Sequence, residues 1–136
     1  MQKKLQKYVE ELSLFEDTMD KYEYIIDLGK RNSDLDETEK NAQNKIQGCQ
    51  SSVWIVAHNQ DGKLFFKTDS DTVIVAGLAF ILTDIFSGHE PEQILSFDRK
   101  ALEKLGLDEI ISPVRLNGFS SMLERIYAFA RENQNG

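Results

Sequence analysis

Leu5, Tyr8, Val9 and Leu12 recur at helical spacing among lysines and glutamates, which predicts a short amphipathic helix near the start of the chain. A second such pattern, Phe15, Met19, Tyr22, Ile25, Ile26 and Gly29, predicts a helix ending near Arg31, with the break between the two around residues 13–16. Residues 32–43 are polar and acidic, with Asp34, Asp36, Glu37 and Glu39, and read as an exposed, solvated loop with room for one helical turn. The period then changes to two. Residues 51–57 and 63–68 are β-rich runs, and the five residues between them, His58-Asn59-Gln60-Asp61-Gly62, end in the hairpin signal Asp-Gly. The second run alternates only in part, with Leu64 and Phe66 set against Phe65 and Lys67, so both faces of the sheet are expected to be partly covered.

Asp69-Ser70-Asp71-Thr72 offers potential helix caps, and residues 73–86 behind it are apolar on nearly every side, as in a central buried helix. Gly77 interrupts that helix and points to close packing against another. Pro91 opens a further short helix, residues 100–105 predict another stopped by Gly106, and after Ser112-Pro113 a last helix carries Phe119, Met122, Leu123, Ile126, Tyr127 and Ala130 on one stripe. The order helix–helix, hairpin, helix–helix is α+β: a small antiparallel sheet of two to three strands packed by several helices. Two strands alone are marginal, so a third short edge strand is expected, with residues 45–48 as its donor. At 136 residues, without a linker-like stretch or repeat, the chain reads as one domain spanning residues 1–136.

A net charge of −7 argues against nucleic acid and anionic membranes, both of which want clustered lysine and arginine. The basic first residues have no apolar stretch behind them, so they are not a secretory signal. The longest apolar run, residues 73–82, is far short of the roughly 20 residues a bilayer span needs.

Cys49 is the only cysteine. A lone thiol closes no internal disulfide and completes no cysteine-based metal site, and it fits a reducing cytoplasm. It is therefore either a small buried hydrophobe or a nucleophile. Its surroundings favour the nucleophile: Gly48 lets the backbone bend, Gln47, Gln50, Ser51 and Ser52 form a hydrogen-bonding collar, and the apolar run from Val53 anchors one side. A stabilised thiolate wants a nearby cation, backbone amides or a histidine. Arg115, in the turn-like stretch 112–118, is the candidate cation, against the plainer reading of a solvated arginine or one capping a carbonyl. His58 and His89 are isolated and match no zinc spacing, but either could in principle serve as base to a Cys–His hydrolase or transferase. No phosphate-binding glycine loop and no G-x-S-x-G is present.

Three segments carry a family likeness: Tyr24-Ile25-Ile26-Asp27-Leu28-Gly29, then Asn44 through Ile46-Gln47-Gly48-Cys49-Gln50-Ser51-Ser52-Val53-Trp54-Ile55-Val56, then Asp69-Ser70-Asp71 leading into Ile74-Val75-Ala76-Gly77-Leu78. Together they closely resemble the SufE family, over residues 3–132. Arg115 and Gly118 match the family's arginine–glycine turn, whereas Ala76 departs from the basic residue many relatives carry before Gly-Leu. The resemblance implies a small sheet flanked by helices, similar to the NifU/IscU scaffold fold. It implies a sulfur carrier that accepts persulfide sulfur on Cys49 from a SufS-type cysteine desulfurase, stimulates that enzyme, and passes sulfur toward a downstream iron–sulfur scaffold. Such a protein needs no cofactor of its own and is no stand-alone enzyme; homodimerisation stays open. The alternatives are the histidine-assisted hydrolase and an interaction domain with an inert cysteine.

Overall fold

The computed structural model describes residues 1–32 and 35–134. Helix α1 (Gln2–Ser13) buries Leu5, Tyr8 and Leu12, the stripe its spacing predicts, against α3 and the segment Arg99–Leu105. Helix α2 (Thr18–Asn32) buries Ile25, Leu28 and Gly29, but Met19, expected on the same stripe, is 60% exposed in the first turn. Asp34 lies outside the described residues. The remaining acidic stretch forms a 3₁₀ turn, Glu37–Glu39, and it is more engaged than a solvated loop: Lys40 pairs with Glu37 at 3.3 Å and Asp69 at 3.0 Å, and its ammonium stands over the Trp54 ring.

Strands β1 (Val53–Gln60) and β2 (Lys63–Ser70) pair antiparallel, Gln60 opposite Lys63. The connection is thus the two residues Asp61-Gly62, not five. Both take positive φ, +56° and +85°, the left-handed pair whose twist matches that of the strands, so pairing continues through His58 and Asn59. Val53, Ile55, Leu64, Phe66 and Thr68 line the buried face, while Phe65 points outward, 39% exposed. Thr68, in this apolar layer, is satisfied by donating to the Trp54 carbonyl at 2.8 Å.

The expected third strand is a single rung. Lys45 bridges Trp54, with Ile46 N–H donating to Val53 O (2.8 Å) and Ile55 N–H to Asn44 O (3.0 Å). A turn closing at Asn41–Asn44 on one side and the left-handed Gly48 on the other leave room for no more. The opposite edge is treated alike, because Leu64 exchanges backbone bonds with Gly88 and His89. Both edges of a minimal hairpin are thereby capped.

Helix α3 (Val73–Phe86) is buried at Ile74 through Ala79 and again from Ile81, as its all-round apolarity predicts. It packs on α2, the sheet, α1 and α5. Pro91 opens the short α4 (Pro91–Ser96), and Arg99–Leu105 is a 3₁₀ rather than an α segment, ended by Gly106 at φ +66°. Helix α5 (Pro113–Glu132) completes the core with Phe119, Met122, Leu123, Ile126, Tyr127 and Ala130. Residues 112–118 are therefore not a turn. Ser112 accepts the Arg115 N–H (3.3 Å) as cap, Pro113 sits at the first helical position, and the apolar spacing runs on through Asn117-Gly118.

Gly77 does what its place in an apolar helix suggests. A Cβ there would run into the Ile25 carbonyl, and one on Gly29 would lie 2.5 Å from Gly77 N, so α2 and α3 touch backbone to backbone. Ordinarily alanine is about 1 kcal/mol better than glycine inside a helix. Here Gly77→Ala should instead destabilise by about 3 kcal/mol, the cost of overpacking a close crossing. The urea midpoint reads this directly, and an unchanged or higher midpoint would show that the crossing relaxes freely.

Candidate functional site

Between the rung at Lys45 and the start of β1, residues 47–52 form a short loop against α5. Gly48 takes φ +85°, where an L side chain is strained, and its missing side chain has a second use. A Cβ on Gly48 would stand 2.7 Å from Ser121 Oγ. Cys49 follows, and its Sγ rests over Gly118, 2.9 Å from where a Cβ of that residue would be. Arg115, Gly118 and Ser121 are three apart along α5 and share one face. The loop lies along that face because its middle is bare. Cys49 is half-buried and packs against the hydrophobic core, while Gln47, Gly48 and Gln50 around it are exposed.

The downstream end of the loop is held tightly. Arg115 Nη1 donates to Ser51 Oγ at 2.7 Å, and Thr72 Oγ1 lies 2.9 Å from the same oxygen. Ser52 is clasped through its backbone: its N–H donates to Asp71 Oδ1 (3.1 Å), and its carbonyl accepts Asp71 N–H (3.1 Å) and the Ser70 hydroxyl (2.7 Å). The Ser51 anchor thus brings together the start of α5, through Arg115, and the start of α3, through Thr72. Residues 47–50 remain the part with solvent on one side.

Of the residues singled out from sequence, Cys49, Gln47, Gly48, Gln50, Ser51 and Arg115 meet in this one place. The hydrogen bond of the Arg115 guanidinium goes to Ser51, two residues past the thiol. The histidines are elsewhere. His58 lies five residues along β1 from Val53, about 16 Å at 3.3 Å per residue. His89 bridges Leu64, which pairs with Asn59 at the same hairpin end. Burial, then the amino terminus 3.3 Å away and Lys63, keep the His89 imidazole below its ordinary pKa. Among the described residues, no three His, Cys, Asp or Glu side chains gather as a metal site, and no helix is long and apolar enough to cross a membrane.

Sequence reasoning missed Ser121 and the Ser51 contact of Thr72, and it read Gly118 as part of a turn. One signal was present: Arg115, Gly118 and Ser121 at helical spacing, small residues on a face that must accept something close. The partner of that face, 64 or more residues earlier in the chain, was not readable from spacing.

Comparison with known proteins converges on one family. The family model described as SufE, Fe-S metabolism associated domain, matches residues 6–130. A SufE-like protein of Rhizobium meliloti (strain 1021) is 38% identical over 129 residues, covering 90% of this chain and 91% of that protein. A SufE-like protein of Rhizobium etli is 35% identical over 127 residues, covering 90% and 86%. The solution structure of a hypothetical protein from Thermus thermophilus matches with a TM-score of 0.77 over 98% of this chain and 97% of that one; at 20% identity it speaks to the fold alone.

The bare face of α5 makes a prediction that needs no partner. Gly118→Ala puts a methyl group where Cys49 Sγ now rests, so the thiol must move outward. Alkylation of Cys49 by iodoacetamide should speed up about threefold or more, equivalent to roughly 0.7 kcal/mol at about 1.4 kcal/mol per factor of ten. The neighbouring exposed Ser120→Ala should leave the rate unchanged. Equal rates for all three proteins would mean that the contact with Gly118 does not control access to the thiol.

Proposed function

The chain belongs to the SufE family, associated with Fe-S metabolism, and on that premise we propose that it is a sulfur acceptor and carrier working through Cys49. The donor is a SufS-type cysteine desulfurase, whose pyridoxal chemistry releases the sulfur, and the recipient is a downstream iron–sulfur scaffold. The carrier stimulates the desulfurase by clearing its persulfide and has no turnover of its own. The observation that supports this most is the setting of the thiol: a single cysteine, half-sheltered over Gly118, on a short loop with an open outer edge and a pinned inner end.

The transfer is a thiol exchange. The Cys49 thiolate attacks the outer sulfur of the desulfurase persulfide, E–S–SH. A sulfur–sulfur bond forms to Cys49 as the one to the enzyme breaks, leaving Cys49–S–SH and the enzyme thiolate, with no net oxidation. Gln47, Gly48, Gln50 and Ser51 offer donors around the sulfur. Arg115 adds positive charge at the loop and, through Ser51, fixes its position. A half-sheltered persulfide is protected from small thiols, and the donor reaches it by favouring an outward loop. A hydrolase using His58 or His89 finds no support in this arrangement, because both lie at the far end of the hairpin.

The decisive measurement is intact-protein mass spectrometry after incubation with desulfurase and cysteine. The protein should gain the mass of one sulfur atom on Cys49, lost again on treatment with a thiol reductant. Cys49→Ser should fold with an unchanged urea midpoint, take up no sulfur and give no stimulation of the desulfurase. A serine variant that still raised desulfurase turnover to the wild-type level would sink the carrier reading. The double replacement His58→Gln with His89→Gln should retain full uptake, whereas its loss would revive the histidine-assisted alternative.

A further inference from the structure

Thr72 precedes α3 at its cap position, with extended backbone (φ −121°, ψ 123°), yet its hydroxyl makes no bond to the helix it precedes. A threonine there normally spends its oxygen on the first free N–H groups. This one lies instead 2.9 Å from Ser51 Oγ and 3.1 Å from Asp71 Oδ1. Ser51 Oγ in turn receives Arg115 Nη1 at 2.7 Å. The four groups stand in a row, and chemistry dictates where each proton lies.

Arginine only donates, so Ser51 Oγ accepts from it and must send its own proton elsewhere. The Asp71 carboxylate only accepts, so the Thr72 proton points to it; otherwise two oxygens would face each other lone pair to lone pair at 3.1 Å. That leaves the Thr72 oxygen free to accept, and the Ser51 proton goes there. The row is directed: Arg115 to Ser51, Ser51 to Thr72, Thr72 to Asp71. Asp71 Oδ1 also takes the Ser52 N–H. A cation at one end and a carboxylate at the other polarise both hydroxyls in the same sense, which strengthens every link.

We infer that Ser51 and Thr72 are positioning residues for Cys49: their hydroxyls join Arg115 to Asp71 in one directed chain that holds the thiol loop closed against α5, and its strength sets how often the loop opens. This rests on the reading of Cys49 as the working thiol. The chain crosses between elements, from the start of α5 through the loop to the start of α3, so an outward excursion of the loop must break it at Ser51. A half-buried thiol reacts in proportion to the open population, which makes small-molecule alkylation the direct readout.

The test uses the isolated protein with iodoacetamide and no sulfur donor. Thr72→Val keeps the shape, suits the extended backbone and removes no helix-capping bond. Cys49 alkylation should rise about fivefold, roughly 1 kcal/mol by the tenfold constant, with the urea midpoint unchanged. Thr72→Ser, which restores the hydroxyl, should return the rate close to wild type. Ser51→Ala should also accelerate alkylation. Its combination with Thr72→Val should fall short of the product of the single effects, because the two share one bond. A Thr72→Val rate equal to wild type, a serine variant as fast as the valine one, or a strictly multiplicative double variant would each overturn the chain. None of these readings involves sulfur transfer, so the latch and the carrier reading fail separately.

Discussion

Backbone meets backbone where α2 crosses α3, and the site is placed by that contact. With Gly29 and Gly77 facing each other, no side chain separates the helices, and α3 sinks into the centre of the molecule. From there it buries its other sides against the sheet, α1 and α5. Its start, at Thr72, is carried to the end of the sheet where β1 begins and β2 finishes. Helix α5 is set against the same core by Phe119, Met122 and Ile126, which brings Arg115 to the same corner. The Ser51 anchor of the cysteine loop is the point on which both helix starts converge.

The loop is built from unlike halves. Residues 51 and 52 are fastened by side-chain and backbone bonds to the segment 70–72 and to Arg115. Residues 47–50 lie along the bare face of α5 at Gly118 and Ser121, with Cys49 packed against the core. A contact made by the absence of side chains is close but has no directional bond, so it can part at modest cost. That combination suits the proposed carrier: the sulfur is sheltered at rest by a close but undirected contact, and the bonds at Ser51 hold the loop against it.

Side chains on the same element announce themselves by period. The stripes of α1 and α5, the apolar α3 and the Asp-Gly hairpin were legible because each depends on residues three, four or two positions apart. Cys49 stood out chemically, as the lone thiol in a glycine-led polar loop. Local signals erred where they competed. The stretch 112–118 read as turn-like, but the Ser-Pro start and the apolar spacing carry the helix through it. The third strand was cut to one rung by Gly48, whose left-handed backbone serves the cysteine loop instead.

What the sequence by itself determined is therefore the main helices and the hairpin, the lone cysteine and the family. What only the tertiary structure decided is which residues surround the thiol: Gly118 beneath it, Ser121 against Gly48, and Arg115, Thr72 and Asp71 around Ser51 and Ser52. The reason is physical. Periodicity records what an element buries, whereas these contacts join segments 19 to 73 positions apart through hydroxyls, a guanidinium and two missing side chains; the spacing of Arg115, Gly118 and Ser121 marks a face of α5 but not what lies on it. They exist because the α2–α3 crossing and the packing of α5 bring two helix starts to one corner of the sheet.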